Sequence, residues 1–227
     1  MLIIVGKDRL SKWVFAHVVP KKGHDPHAIK MVKREVHLSG YNRVIIKSDQ
    51  EPSMLEVMRA VKRESSEDIE IMPEESPVGE HQANGEIERA IQDVQSQIRT
   101  MRMALQSRYK CRLRSDHPIM PWLVNHAGKP ISLCRVKDDG RTAYERVKGK
   151  RARIQGLEFG EGVFWKRKRE GGPLGKLTCM WGDGVFLGVK GSTGEIIVGD
   201  DRGVWVTRTV RRKPIEERWD RRTLVGL

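Results

Sequence analysis

Cysteine is scarce in this chain: Cys111, Cys134 and Cys179 are the three among 227 residues. An odd number, far apart and without a Cys-x-x-Cys pair, supports neither a disulfide framework nor a zinc site. An intracellular, reducing compartment fits this usage. His24 and His27 lie three apart, but no cysteine pair follows at zinc-finger spacing. They read as polar residues of a loop and a helix start. Long apolar runs are missing too. Leu2–Val5 and Trp13–Val19 are far too short to span a bilayer. Met1–Gly6 has no basic region of the kind that opens a secretory signal. No internal repeat is visible, which excludes a solenoid or propeller array.

Positive charge is what the chain has in excess. Lys and Arg number 43 against 30 Asp and Glu, giving a formal charge of +13. Such a balance favours a polyanionic partner, nucleic acid first and an anionic membrane second. The basic residues run along the whole chain, which suits a broad contact face better than a tethering arm. The alternative is a soluble basic protein with no nucleic-acid role. Hydrophobic residues at 38% and charged residues at 32% are ordinary for a globular protein. The length allows one large domain or two small ones.

The first third alternates strands and helices. Leu2–Gly6 and Trp13–Val19 are β-rich, and the polar stretch 7–12 joins them as a hairpin. His27–Leu38 has helical periodicity through Ile29, Val32 and Val36, with Gly40 as a stop. Arg43–Lys47 is a short apolar strand that ends in Ser48-Asp49. Pro52 opens a second helix, through Arg63, with Leu55, Met58 and Val61 along one face. A brief strand, Ile69–Ile71, and a Pro- and Glu-containing loop, Pro73–Gly79, follow.

From about Asn84 to Tyr109, Ile87, Ile91, Val94, Ile98, Met101 and Leu105 recur at alternating spacings of four and three. They form one buried stripe on a long helix. Glu88, Gln92, Gln95, Arg99, Arg102 and Gln106 form a polar strip at its edge. Pro118–Arg135 and Thr142–Lys148 are further helical pieces. Beyond 150–156 glycines and aromatics become frequent, and short strand-like runs are separated by Gly and Asp turns. That spacing suits a small β-barrel or sandwich.

Two pieces carry chemistry. Asp49 stands at the carboxyl end of a strand, and Glu88 lies in the first turns of the long helix, after a Gly-containing loop. In α/β folds ligands sit beyond the carboxyl ends of strands. Carboxylates from a strand end and a nearby helix can share Mg²⁺, which takes oxygen ligands. Two such ions clamp the attacking and leaving oxygens of a phosphodiester. Plainer roles are equally consistent with these residues. Asp49 can satisfy the backbone of the helix opening at Pro52, and Glu88 can be a solvated acid favoured by a helix N-terminus.

The segment Ser76–Arg89 with its Asn84-Gly85-x-x-Glu88-Arg89 core, preceded by Ser48-Asp49-x-Glu51, resembles the integrase core of LTR retrotransposons of the copia-like group. Pro121-Trp122, Asn125-His126-Ala127 and 140–146 resemble the helical tail of that core. Phe159-Gly160-x-x-Val163, 184–188 and Arg208-Thr209-Val210 are similar to the SH3-like module that follows it. The resemblance covers nearly the whole chain in order. It implies an α/β fold: a partial ribonuclease H-like integrase core followed by a small all-β SH3-like barrel. The expected boundaries are 1–115 for the core, 116–152 for its helical extension, 153–215 for the β-module and 216–227 for a tail.

The resemblance further implies metal-dependent polynucleotidyl transfer by an Asp–Asp–Glu triad on Mg²⁺ or Mn²⁺. Asp49 matches the second Asp and Glu88 the Glu, with thirty-eight residues between them. No residue matches the first Asp, whose strand would pair between the Leu2–Gly6 hairpin and Arg43–Lys47. Asp8 is the nearest acid and falls in the polar turn. The expectation is a chain truncated at its start and lacking that central strand. Two outcomes follow: poor folding alone, or direct, distorted pairing of the two halves. It also implies weak metal binding and impaired catalysis, the alternative being a non-catalytic nucleic-acid-binding remnant of a transposable element. Implied partners are DNA, both element ends and target, and further copies of the chain. Neither a membrane nor a small-molecule substrate is implied, and the implied location is the nucleus. On the long helix Asn84, Arg89, Gln92, Gln95, Arg99 and Arg102 are candidate DNA contacts. In the β-module Lys166, Arg167, Lys168, Arg169, Arg211, Arg212 and Lys213 are compact basic runs, the first beside Trp165. Basic clusters beside aromatics suit backbone binding without sequence preference. The plainer reading of both sets is solvated surface charge.

Overall fold

The structure, a computed structural model, describes residues 1–48, 51–65, 69–75, 81–153, 156–167 and 179–225, with backbone alone at 75, 81–84 and 225. In chain order its elements are β1 (Leu2–Lys7), β2 (Val14–Val19), α1 (Pro26–Ser39), β3 (Arg43–Ser48), α2 (Pro52–Glu64), β4 (Glu70–Glu75), α3 (His81–Tyr109), α4 (Ile119–Cys134) and α5 (Ala143–Lys148). Then come β5 (Gly162–Lys166), β6 (Trp181–Val189), β7 (Ile196–Asp200), β8 (Gly203–Thr207), β9 (Val210–Arg212) and α6 (Arg221–Val225). They divide into two compact units. One holds Met1–Ile98 with Ala127–Ala152, the other Arg99–His126 with Arg153–Leu227. Among the described residues no helix is long and apolar enough to cross a membrane.

In the first unit β1 and β2 form the expected antiparallel hairpin, with Leu2 opposite Val19 and Lys7 opposite Val14. Helix α1 starts where Asp25 Oδ1 accepts the Ala28 N–H at 2.9 Å, and Pro26 fills a first-turn position that needs no donor. It stops at Gly40, whose φ of 75° is the left-handed cap that glycine adopts without steric cost. Ile29, Val57, Ala60, Val61 and Ile71 are buried together, with Val32, Val36, Ile46 and Ile69 against them. This core fixes α1 and α2 on one face of the parallel pair β3–β4. β4 runs on to Glu75 and includes Pro73, which the sequence reading placed in a loop. A proline has no N–H to give a ladder, and an edge strand tolerates it.

The opposite face of β3–β4 is open. Ile45 and Met72 are cross-strand partners there, 58% and 38% exposed. They lie between two ion pairs, Arg43–Glu70 and Lys47–Glu74, each at 3.3 Å. The hairpin and β3–β4 are separate two-stranded sheets. Direct pairing of the halves, one of the two expected outcomes, does not occur among the described residues.

Part of α4 seals the edge of the hairpin. Ser132, fully buried, accepts the Val14 N–H at 2.9 Å and donates to the Val14 carbonyl at 3.0 Å. A side chain thus does what a neighbouring strand would do. The close approach needs Gly128, where an added Cβ would lie 3.0 Å from the Val14 carbonyl oxygen and 3.2 Å from Phe15 Cα. Behind the hairpin, His17 and Glu35 form a buried pair at 2.9 Å.

The second unit centres on a five-stranded antiparallel sheet in the order β8-β7-β6-β5-β9. This is the small β-module that the glycine and aromatic spacing suggested, with β9 added beside β5. Val163, Trp165, Phe186, Ile196 and Val198 form its core. The end of α3, from Arg99, groups with this unit. The reason is packing: Tyr109 is buried, donates from its hydroxyl to the Gly160 carbonyl at 2.5 Å, and meets Trp219 edge to face at 5.4 Å.

Replacing Ser132 with alanine leaves the buried Val14 N–H and carbonyl without partners. The expected cost is about 2 kcal/mol, read as a lower urea midpoint together with faster amide exchange at Val14. An unchanged Val14 exchange rate would show that the seal contributes nothing.

Candidate functional site

The apolar stripe of α3 turns inward as expected, with Val94 and Leu105 fully buried. The polar strip is exposed at Glu88, Gln92, Gln95 and Arg99, and Arg89 beside it is exposed as well. Asn84 lies on α3, but its side chain is outside the described residues. Further along, the strip is drawn inward. After Tyr109 the chain doubles back and buries Leu113 against the helix. Arg102 Nη2 donates to the Leu113 carbonyl, and Gln106 Oε1 accepts the Leu113 N–H at 3.0 Å. Arg102 therefore holds a turn, where the sequence reading had it facing a partner.

Arg89 lies 3.6 Å from Asp93, which also takes Arg135 at 2.5 Å. The Arg135 hydrogen bond outweighs burial and keeps the Asp93 carboxyl below its ordinary value. Asp49 lies outside the described residues. Ser48, which precedes it, closes β3. The first turns of α3 have their recorded partners elsewhere. Glu86 is bonded by Lys12 at 3.1 Å, with Arg9 at 3.6 Å and Lys7 at 3.9 Å. These basic residues flank or lie in the hairpin turn. That turn is tied by Asp8 to the Tyr41 hydroxyl at 2.9 Å, near the opening end of β3. From Arg43 to Ser48 is about 16 Å of strand.

Asp8 itself is committed to structure. Its carboxylate accepts from the Leu10 N–H at 3.0 Å, the Ser11 N–H at 3.1 Å and the Ser11 hydroxyl, besides Tyr41. Burial acts to raise its pKa, but these four donors outweigh it and hold the carboxyl below its ordinary value. Among the described residues no three His, Cys, Asp or Glu side chains gather in a way that could hold a metal ion. Glu88 is an exposed carboxylate.

The β-module sorts its basic residues into two kinds. Lys166 and Arg167 are exposed, whereas Lys168 and Arg169 lie outside the described residues. Arg211 is exposed and stacks its guanidinium 4.8 Å over the Trp181 ring. Lys166 sits opposite Trp181 in register. Arg212 and Lys213 are turned to internal work. Arg212 forks onto Glu161 at 2.6 and 2.7 Å, and Arg218 adds a contact at 3.6 Å. Lys213 is buried, pairs with Asp183 at 2.5 Å and lies 5.2 Å from the Phe164 ring centre. Glu161 is fully buried, and nothing in its sequence neighbourhood marks it as such. Burial acts to raise its carboxyl. The Arg212 bonds, the contact through Glu158 and the Arg218 charge outweigh that and leave it below the ordinary value.

No family model matches the chain, and no curated protein matches it in sequence. Among solved structures, the catalytic core domain of BIV integrase is similar over 64% of this chain and 84% of its own, with 19% identity and a TM-score of 0.39. A simian T-cell lymphotropic virus intasome in complex with PP2A regulatory subunit B56 gamma is similar over 93% of this chain and 72% of that one. There the identity is 14% and the TM-score 0.47. Likenesses this slight bear no weight on function.

The Glu161 clamp makes the β-module acid-sensitive. Its folded carboxyl titrates below its unfolded value, so the stabilisation is complete above the unfolded value and fades as pH falls through the folded one. Glu161→Gln should cost about 2 kcal/mol at neutral pH and flatten the fall in melting temperature toward acid pH. A variant that keeps the wild-type acid slope would mean the clamp is not its source.

Proposed function

We propose that the chain is an integrase-type retroelement protein that binds DNA through its phosphate backbone and is impaired in strand transfer. The observation that carries the binding half is the outer face of β5, β6 and β9. Trp181 lies there under Arg211, with the exposed Lys166 opposite it in register. A flat aromatic edged by cations suits a sugar-phosphate chain without sequence preference. The chain's +13 charge supplies the long-range attraction. On α3 the exposed Gln92, Gln95 and Arg99 offer a second, weaker face, since glutamine bonds phosphate but releases no counterion.

The integrase half rests on the ordered motif set around Asn84-Gly85-x-x-Glu88-Arg89 and Ser48-Asp49. In this reading Asp49 and Glu88 are two carboxylates of a metal-binding triad. They would take Mg²⁺ or Mn²⁺ weakly, and the β-module would be SH3-like. Association of copies on DNA and a nuclear location belong to the same proposal. The second reading is a remnant that only binds nucleic acid; the Trp181 and Arg211 face it would use needs neither carboxylate.

Duplex DNA should bind with an affinity that falls steeply between low and physiological salt, by about tenfold or more. Arg211→Ala and Lys166→Ala should each weaken it by a few-fold, roughly one phosphate contact's worth, with no change in melting temperature. Nicking and strand transfer in Mg²⁺ or Mn²⁺ should be absent or close to it. Salt-independent affinity would overturn the binding half. Robust nicking abolished by Asp49→Asn would overturn the impairment and show an active metal site.

A further inference from the structure

The turn joining β1 and β2 is more firmly built than a surface connection requires. Asp8 accepts four hydrogen bonds from within the turn and from Tyr41. Its own N–H donates to the Trp13 carbonyl at 2.9 Å, and the Lys12 N–H returns to the Asp8 carbonyl at 2.9 Å. Arg146 of α5 donates to the Ser11 carbonyl at 3.2 Å. Lys12 is held at φ 65°, a left-handed conformation that costs a side-chain-bearing residue energy and persists only where its surroundings impose it. The result is a fixed mount for three cations, Lys7, Arg9 and Lys12.

All three point at one carboxylate, and the match is poor. Glu86 Oε1 takes a hydrogen bond from Lys12. Glu86 Oε2 is sealed from solvent and has no hydrogen-bond partner, with Arg9 and Lys7 standing off at 3.6 and 3.9 Å. A buried acceptor without a donor is costly. Charge is unbalanced as well. Lys7 feels the Lys12 and Lys137 ammonium groups besides Glu86 and Asp93, and Asp93 is already shared by Arg89 and Arg135. Burial together with those neighbouring ammonium groups lowers the Lys7 ammonium from its ordinary value despite Glu86. As placed here, the Glu86 carboxylate meets only one of these donors within hydrogen-bond distance. A tetrahedral oxyanion, with oxygens pointing in several directions and more negative charge, can meet all of them.

We propose that Lys7, Arg9, Lys12 and Glu86 form an anion-exchange site, in which Glu86 is the occupant of the free chain and a phosphate group displaces it. The site is reached from the Arg9 side, where that side chain is 76% exposed, Glu86 42% and Lys12 32%, with Lys7 deeper at 17%. The ligand class is a phosphate oxyanion. That a phosphodiester of DNA supplies it rests on the proposed function, whereas the site itself stands on the geometry. Release of Glu86 would free the carboxylate as the phosphate enters, so binding at this turn would be weaker than the local charge suggests.

The test compares the full chain, Glu86→Gln, Arg9→Met and the triple variant Glu86→Gln/Lys7→Met/Lys12→Met, with melting curves to establish that each is folded. The first probe is inorganic pyrophosphate, the second a short DNA duplex. Glu86→Gln removes the competing charge and should bind pyrophosphate about fivefold more tightly, the scale of one partly exposed ion pair. Arg9→Met, whose exposed side chain can be lost without unfolding, should weaken binding by a similar factor. The triple variant should lose the gain. Equal pyrophosphate affinity in wild type and Glu86→Gln would overturn the proposal, as would a gain that survives in the triple variant. If pyrophosphate behaves as expected and duplex DNA does not bind wild type at all, the anion site stands and the DNA reading falls. If duplex binds wild type while Glu86→Gln changes neither affinity, the DNA reading stands and the exchange site falls.

Discussion

The Asp8 carboxylate is the constraint on which the first unit turns. It closes the hairpin from inside by taking the Leu10 and Ser11 donors, and it reaches out to Tyr41, just before β3. One acid thereby relates the hairpin to the α/β layer. Arg146 adds α5 to the same turn. With four acceptor bonds made, the oxygens of Asp8 have little capacity left for a cation. Asp8 is thus a structural residue.

Much of this architecture could be read in advance. Period-two and period-3.6 patterns located the hairpin, α1, α2 and the long helix, and the glycine spacing located the β-module strands. These signals are local, so short windows of sequence contain them. The missed features depend on partners far away in the chain. Glu86 meets Lys12 at a separation of 74 residues, and Arg212 meets Glu161 at 51. No pattern around Glu86 distinguishes it from Glu88, yet one is engaged by three cations and the other faces solvent. A clue did exist in the turn: three basic side chains within Lys7–Lys12 are a concentration that needs an acid nearby. Pairing of Asp49 with Glu88 was the central geometric expectation. It stays a proposal, since Asp49 lies outside the described residues.

Basic residues here serve two purposes, and composition cannot separate them. Arg102, Arg212 and Lys213 were grouped with surface cations because of their neighbours in sequence. In the fold each is occupied by a carbonyl or carboxylate of its own unit. Arg211, one position before Arg212 on β9, faces the other way onto Trp181. A run of consecutive cations on a strand is necessarily split between its two sides. The exposed cationic face of the β-module is therefore narrower than its charge count implies.

The open side of β3–β4 has a colloidal consequence. Ile45 and Met72 form a small greasy step on an exposed two-stranded ribbon, guarded by the Arg43–Glu70 and Lys47–Glu74 bridges. Charged guards discourage edge-to-edge association of such ribbons, but electrolyte screens charge and leaves apolar surface as sticky as before. A concentrated stock kept in strong brine, the usual remedy for a basic protein that clings to nucleic acid, would therefore remove the protection this ribbon relies on against clumping.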